Sequence, residues 1–243
     1  MTKFFRIPAV PVDGVFHYSC GIVIRNGFPQ MTSFPSFLLN GYQEFRTNRY
    51  SQENQRYRKL ADSGQSPETM MIACCDSRAA PETIFNSAPG EIFVVRNVAN
   101  LVPPYAPDDQ HHSTSAALEF AVQSLKVKHI VVMGHGRCGG IDAALNPSSE
   151  PLSPGDFIGK WMELLGPATE AIAANKWSTR AERQKMLEFA SIRYSIANLR
   201  TFPCVSILEK KERLSVHGAW FDISEGELWV MEPETEDFRP IAG

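Results

Sequence analysis

The chain is organised around two stretches, Ala73-Cys74-Cys75-Asp76-Ser77-Arg78 and His135-Gly136-Arg137-Cys138-Gly139-Gly140. Each follows a run of apolar residues, which are Met70-Met71-Ile72 in the first case and Ile130-Val131-Val132-Met133 in the second. Each is followed by a segment with a helical pattern. Strands that alternate with helices are typical of a parallel α/β sheet. We therefore predict that both stretches lie at the carboxyl ends of buried parallel strands, where such sheets place their sites.

The side chains of the two stretches suit a metal ion. Cys74, His135 and Cys138 supply two sulfurs and one imidazole nitrogen, a set of ligands that zinc prefers. Three protein ligands leave a fourth position for water, as in catalytic zinc sites. Asp76 and Arg78 follow Cys74 closely, so the carboxylate could accept a hydrogen bond from the zinc-bound oxygen while the guanidinium keeps it ionised. The sequence thus predicts a catalytic zinc site.

The combined pattern Cys74-x-Asp76-x-Arg78 and His135-x-x-Cys138 resembles the signature of the β-class carbonic anhydrases, in particular their plant-like branch. The resemblance extends from about Phe34 to Val230 and implies an α/β fold. The expected core is a central, mostly parallel β-sheet flanked by helices, with a strand order near 2-1-3-4 and an antiparallel edge strand. The resemblance also implies that N-terminal helices within 36–63 pack on a partner subunit, in a homodimer or a larger homo-oligomer.

The resemblance implies an enzyme, a lyase that reversibly hydrates CO2 to bicarbonate and a proton. Zinc held by Cys74, His135 and Cys138 would lower the pKa of its bound water towards ~7, and the resulting hydroxide would attack CO2. Asp76 would accept the hydrogen bond of that hydroxide, and Arg78 would fix Asp76.

The resemblance further assigns a substrate pocket to Gln65, Phe93, Val98, Phe120 and Gly139. Gln65 matches a glutamine that reaches into the pocket of the neighbouring subunit, and Phe93 and Val98 match apolar positions around CO2. Without the resemblance, Gln65 is a plain turn residue, and a phenylalanine or valine on a strand is typical of a core. Many plant-like members carry tyrosine where this chain has Phe120, which leaves the details of the pocket open.

Other functions of the same zinc site remain open. A hydrolase of CS2 or COS can use this fold and metal. A catalytically silent zinc protein that serves as a binding module would carry Asp76 on the metal as a fourth ligand, in a closed state. His111 and His112, in a loop before a helix, could shuttle protons, although such histidines are more often only solvated.

Two rival motifs are disfavoured. Gly134-His135-Gly136-Arg137-Cys138-Gly139 also fits the dinucleotide pattern G-x-G-x-x-G between a strand and a helix. That motif would belong to a late strand here, and no strand that ends in an acidic residue follows about 20 residues later. A zinc deaminase needs H-x-E and P-C-x-x-C, and neither is present.

The composition of the chain indicates which partners and which cellular compartment to expect. The chain has 243 residues, a formal net charge of −3 and no cluster of lysine or arginine, which argues against nucleic acid or an anionic membrane as its partner. No apolar run approaches the ~20 residues that span a bilayer. Five cysteines and the lack of an export signal favour reduced thiols and the cytoplasm.

We predict one domain over 31–243, preceded by an extension over 1–30 that is either an accessory arm or the product of a misplaced start codon. The acidic tail from Glu232 is expected to be loose. Strand alternation should turn Cys75 towards the core while Cys74 faces the site. Cys204, in apolar surroundings, is expected to be a buried free thiol.

Overall fold

The computed structural model describes residues 34–108, 110–145, 150–174 and 178–241. The predicted extension over 1–30 lies outside these residues. The chain divides into two compact units, with the boundary between Gln52 and Glu53. Among the residues that the structure describes, no helix has the length and apolarity that a bilayer crossing requires.

The part of the first unit that the structure describes, from residue 34 onward, is helical. Helix α1 (Ser36–Glu44) continues through a π-helical turn (Phe45–Arg49) into α2 (Tyr50–Ser63), which crosses the boundary. This agrees with the helical pattern in the sequence. No residue of α1 is buried, and the side chain of Phe37 is 71% exposed. The helix therefore presents apolar side chains to the outside of the chain.

The larger unit is built on a six-stranded sheet with the order β2-β1-β3-β4-β5-β6. The strands are β1 (Thr69–Cys74), β2 (Ile92–Asn97), β3 (His129–His135), β4 (Ser215–Asp222), β5 (Glu227–Met231) and β6 (Phe238–Pro240). Strands β1 to β4 are parallel, and β5 and β6 are antiparallel to their neighbours. The predicted order 2-1-3-4 with an antiparallel edge is confirmed, and β6 extends it.

Helices of this unit lie between the strands in the chain and after them. They are α3 (Pro81–Ile84), α4 (Ser113–Glu119, with a π-helical end at Phe120–Leu125), α5 (Gly139–Leu145), α6 (Phe157–Met162), α7 (Gly166–Ala173), α8 (Arg180–Leu199) and α9 (Pro203–Lys210). Short 3-10 turns cover Val98–Asn100 and Glu163–Leu165. Helix α8 begins with a capping box in which Thr179 and Glu182 satisfy each other's backbone N–H groups.

Alternation along β1 divides the core between the two faces of the sheet. Met70 and Ile72 belong to the larger cluster, which α8 joins through Ile192. Met71 and Ala73 belong to a smaller cluster on the other face. Both faces of the central strands are buried, as is typical of parallel sheets.

Helix α8 packs closely enough on the sheet to hold the segment after β2. A Cβ atom on Gly134 would lie 2.9 Å from Ile192 Cδ1, so the glycine permits this approach. The buried hydroxyl of Ser195 accepts from the N–H of Val102 at 3.2 Å, and the Asn198 amide donates to the Val102 carbonyl at 2.7 Å. These bonds satisfy buried backbone groups and fix the path of the chain beside the carboxyl edge of the sheet.

The two edge strands of the sheet differ in how readily they could pair with a further strand. Strand β2 borders only β1, and its side chains, with the sequence Ile92-Phe93-Val94-Val95-Arg96-Asn97, are all half-buried. At the other edge, β6 is three residues long and ends in Pro240, which has no N–H to donate. An apolar edge of ordinary length favours pairing with another strand, whereas a short edge with proline opposes it.

The tail from Glu232 to Ile241 packs on the rest of the chain, so the prediction of a loose tail was wrong. Arg193 donates two hydrogen bonds to the carbonyl of Glu236, at 2.7 and 3.0 Å, and its guanidinium lies over the ring of Phe238. Phe238 is buried and stacks on Phe189 with 4.3 Å between ring centroids. The acidic composition of the tail indicated a solvated segment, although Phe238 anchors it to the core.

We expect Phe238→Ala to lower the free energy of unfolding by about 3–5 kcal/mol, since it removes a buried aromatic ring. Urea unfolding at fixed protein concentration measures the change. Phe157→Ala is the matched control, because Phe157 is exposed and its removal should cost less than about 0.5 kcal/mol. Equal effects of the two substitutions would show that the tail does not stabilise the sheet.

Candidate metal centre

The predicted ligands meet at the carboxyl edge of the sheet. Cys74 ends β1, His135 ends β3, and Cys138 lies in the turn before α5. Strands β1 and β3 are parallel neighbours, with Ala73 opposite Met133, so their ends lie side by side. The three ligating atoms lie within 4.8 Å of one another, and all three side chains are buried. The structure thus brings together the whole predicted ligand set.

The arrangement of these atoms fits a zinc ion. The sulfurs of Cys74 and Cys138 are 3.9 Å apart. Two thiolates at ~2.3 Å from one tetrahedral zinc would lie about 3.8 Å apart. His135 Nδ1 donates to the Gly136 carbonyl at 2.9 Å, which leaves the lone pair on Nε2. His135 Nε2 is buried and has no hydrogen-bond partner among the described residues, as a nitrogen reserved for a metal would be.

The two thiols shift each other's pKa in opposite directions. The hydrogen bond from Cys138 lowers the pKa of Cys74, and the same contact raises the pKa of Cys138. A divalent cation between the two sulfurs would favour the thiolate form of both. The backbone N–H of Ala99 also points at the Cys74 sulfur, at 3.4 Å, from a left-handed conformation with φ 63°.

Asp76 and Arg78 form a bidentate ion pair next to the ligands. Arg78 Nε donates to Asp76 Oδ1 at 2.9 Å, and Nη2 donates to Oδ2 at 2.7 Å. These hydrogen bonds hold the pKa of Asp76 well below its usual range, so the carboxylate stays ionised. Asp76 Oδ2 lies 3.8 Å from His135 Nε2. The predicted pair thus stands beside the ligand cluster.

Two residues that support the site were not predicted. Arg96 on β2 donates to the carbonyls of Cys74 and Asp76, at 2.8 and 2.7 Å, and so fixes the backbone of the first motif. Glu188 on α8 is 2% exposed, and it accepts from the Cys138 N–H and from the Trp220 indole, each at 3.1 Å. Burial raises the pKa of Glu188.

A sequence signal existed for Glu188 and was missed. Glu188, Ile192 and Ser195 recur at helical spacing, so a carboxylate shares the buried face of α8. A charged residue on such a face is rarely buried without a partner. Arg96 gave no comparable signal, because an arginine at a strand end is ordinarily solvated.

The structure separates the predicted pocket residues into two groups. Val98 and Gly139 adjoin the ligand cluster, and a Cβ atom on the neighbouring Gly140 would lie only 2.6 Å from Val98 Cγ1. Phe93 and Phe120 contact each other with 5.9 Å between ring centroids, and Phe120 is 48% exposed.

The second group also includes Gln65, which is exposed before β1. Within the described part of the chain, no hydrogen bond, ion pair or ring contact joins Gln65, Phe93 or Phe120 to the ligand cluster. The expected proton shuttle stays a prediction. Its His112 Nε2 lies 2.7 Å from Asp108 Oδ1 in an exposed loop.

The remaining thiols differ from expectation. Cys75 is exposed, so the prediction that it faces the core was wrong. Strand β1 ends at Cys74, and alternation does not apply beyond a strand end. Cys204 is a free thiol as expected, but it is only partly buried, in the first turn of α9. Its burial raises its pKa.

The family model and the relatives that match this chain by sequence are described as carbonic anhydrases. A family model described as carbonic anhydrase matches residues 69–228. Beta carbonic anhydrase 3 of Arabidopsis thaliana is 35% identical over 203 residues, which cover 82% of this chain and 78% of that protein. A carbonic anhydrase of Pseudomonas aeruginosa is 33% identical over 205 residues, which cover 84% of this chain and 91% of that protein.

Solved structures agree with the sequence relatives. The β-carbonic anhydrase CcaA superposes with a TM-score of 0.78 at 28% identity, covering 86% of this chain and 92% of that one. A tetrameric β-carbonic anhydrase of Sordaria macrospora gives a TM-score of 0.69 at 30% identity, with 85% and 98% covered.

The fold and the site define a zinc enzyme of the α/β class. More narrowly, the chain belongs to the β-class carbonic anhydrases. Its activity is the zinc-dependent, reversible hydration of CO2 to bicarbonate and a proton. The predicted family, reaction and metal are thereby confirmed.

We expect Glu188→Ala to weaken zinc binding about ten- to a hundredfold, because it removes the acceptor that fixes the backbone of Cys138. Competition with a zinc chelator measures the affinity. Glu170→Ala on α7 is the control, since Glu170 is exposed. Unchanged zinc affinity in the Glu188 variant would show that this carboxylate does not support the site.

Proposed function

We propose that Cys74, His135 and Cys138 are the zinc ligands of this enzyme and that Asp76 and Arg78 orient the reaction. Zinc held there supplies the Lewis acidity that brings the pKa of water towards ~7. The observation that carries the proposal is the ion pair of Asp76 with Arg78 beside the three buried ligands.

Asp76 acts as an acceptor of a hydrogen bond and not as a base. A carboxylate whose pKa is held well below its usual range takes up little proton near neutral pH. It can accept a hydrogen bond from the attacking oxygen and so aim a lone pair at CO2. Arg78 is a positioning residue that fixes both carboxylate oxygens. The proton released in the reaction leaves to buffer.

The site is proposed to be open, with a position left for water. Within the described residues, the group that could hold a metal contains three side chains, and Asp76 is not one of them. Both oxygens of Asp76 are bound by Arg78, which opposes its rotation onto the metal. This geometry favours a working enzyme over a silent zinc module, and the names of the relatives favour CO2 over CS2 or COS.

A second copy of the chain is proposed to complete the substrate pocket. Val98 and Gly139 would line it on the chain that holds the zinc, and Gln65, Phe93 and Phe120 would reach the pocket of the neighbour. The apolar edge strand β2 and the exposed face of α1 support a homo-oligomer, because each leaves surface suited to another subunit. The Sordaria macrospora relative is described as tetrameric.

The cytoplasm is proposed as the compartment. Cys74, Cys75, Cys138 and Cys204, the cysteines that the structure describes, are all free thiols. Free thiols are favoured where glutathione and thioredoxin keep the compartment reducing. Cell fractionation with an antibody to the chain would locate the enzyme.

We expect Asp76→Asn to keep stoichiometric zinc and to lose roughly a hundredfold or more of the CO2 hydration rate, the scale of removing an oriented group at a reacting centre. Stopped-flow hydration and metal analysis measure the two quantities. Asp62→Asn, at an exposed position of α2, is the control. Full activity of the Asp76 variant would refute its assigned role.

The pH profiles of two variants should shift in opposite directions. Without Arg78, Asp76 is still ionised above pH 6.5, since its ordinary pKa is about 3.9. Its uncompensated negative charge disfavours ionisation of the active-site water. The rise of kcat/KM should therefore move to higher pH in Arg78→Ala and to lower pH in Asp76→Asn, where the Arg78 charge is uncompensated. Shifts of the same sign would contradict the proposed pairing.

We expect Phe37→Asp to lower the mass of the oligomer, since it places a charge on the apolar face of α1 that a partner would bury. Analytical ultracentrifugation measures the mass. Asn40→Asp adds the same charge to the same helix and is the control. A Phe37 variant with the oligomer mass of the wild type would exclude α1 from the interface.

A further inference from the structure

Two histidines meet near the starts of neighbouring strands, away from the zinc ligands. His129 is the first residue of β3, and His217 is the third residue of β4, opposite Val131 in the parallel register. His217 Nε2 lies 3.3 Å from His129 Nδ1. The ring centroids are 5.5 Å apart, and both side chains are partly buried.

This pair is separate from the catalytic site. His129 and His135 are the first and last residues of β3. Six steps of ~3.3 Å along a strand place them about 20 Å apart. A ligand at the histidine pair therefore does not touch the zinc ligands, Asp76 or Arg78.

The distance between the two nitrogens suits a chelate. Two imidazole nitrogens bound at ~2.1 Å to one tetrahedral metal would lie about 3.4 Å apart, close to the 3.3 Å found between His217 and His129. The strands β3 and β4 are hydrogen-bonded neighbours from His129 opposite Ser215 onward, so the backbone that carries the rings is already fixed. Little ordering of the backbone would accompany binding.

The charges around the pair are balanced and do not oppose a metal ion. Glu209 on α9 acts electrostatically on His217, and His129 acts on Glu68, which precedes β1. Lys128 is paired with Glu68, and Arg200 is paired with Glu209, so each carboxylate is compensated by a cation. Burial, followed by the charge of His129, lowers the pKa of His217, so its imidazole keeps a free lone pair near neutral pH.

We propose that His129 and His217 form a second metal site, which binds a divalent transition metal through two imidazole nitrogens. Zinc, nickel and copper accept imidazole readily. Water would complete the coordination. Because the rings are partly exposed and only two in number, this site exchanges metal more readily than the buried ligand cluster. A metal ion bound at this site would link β3 to β4 through the two histidine side chains.

The test is a calorimetric titration of untagged holoenzyme, loaded with one zinc per chain, with Ni2+. The wild type should bind one further Ni2+ per chain, and His129→Ala and His217→Ala should each weaken that binding at least tenfold. Both variants should keep the CO2 hydration rate, which also shows that they are folded. His111→Ala, at an exposed histidine, should bind Ni2+ like the wild type.

Two results would overturn the proposal. One is a wild type that binds no Ni2+ beyond its zinc, and the other is equal binding by the wild type and the His129 and His217 variants. If an alanine variant does not fold, the wild type alone decides the question by NMR. Paramagnetic Ni2+ should broaden the imidazole signals of His129 and His217 before those of His111, and sharp signals at saturating Ni2+ would overturn the site.

Discussion

The parallel register of β1 against β3 is the constraint on which the rest of this structure depends. It places Ala73 opposite Met133 and so sets the end of one strand, with Cys74, beside the end of the other, with His135. A shift of one residue would turn every side chain of a strand to the opposite face of the sheet. The same alternation fills both sides of the central strands with apolar side chains, so the packing that stabilises the sheet also selects the register that assembles the site.

Around the ligands, each charge has a neighbour that fixes its state. Arg78 keeps Asp76 ionised, the thiols of Cys74 and Cys138 shift each other's pKa, and Glu188 accepts from the backbone of Cys138 while burial raises its own pKa. In a buried site such pairings determine both geometry and protonation, since an unpaired charge there is costly. The chemistry is thus distributed over β1, β3 and α8.

The sequence predicted what is encoded locally. Cys74, Asp76 and Arg78 lie within five residues, and each ligand motif follows an apolar run. The strand order came from the family resemblance alone. Arg96 and Glu188 act on residues 22 and 50 positions away, contacts that no local pattern reveals. Cys75 was misassigned because alternation was extended past the end of β1, and β6 was missed because the anchor Phe238 lies in an acidic tail.

Helix α8 connects the stability of the fold to the metal centre. Its Ile192 packs in the main core against the sheet, its Leu187 packs in the cluster that contains Cys74 and Cys138, and its Glu188 binds the backbone of Cys138. One helix thus contributes both to the core and to the metal centre. Metal affinity and conformational stability are thermodynamically linked, so a substitution that loosens α8 lowers the affinity for zinc, and bound zinc in turn stabilises the packing of α8.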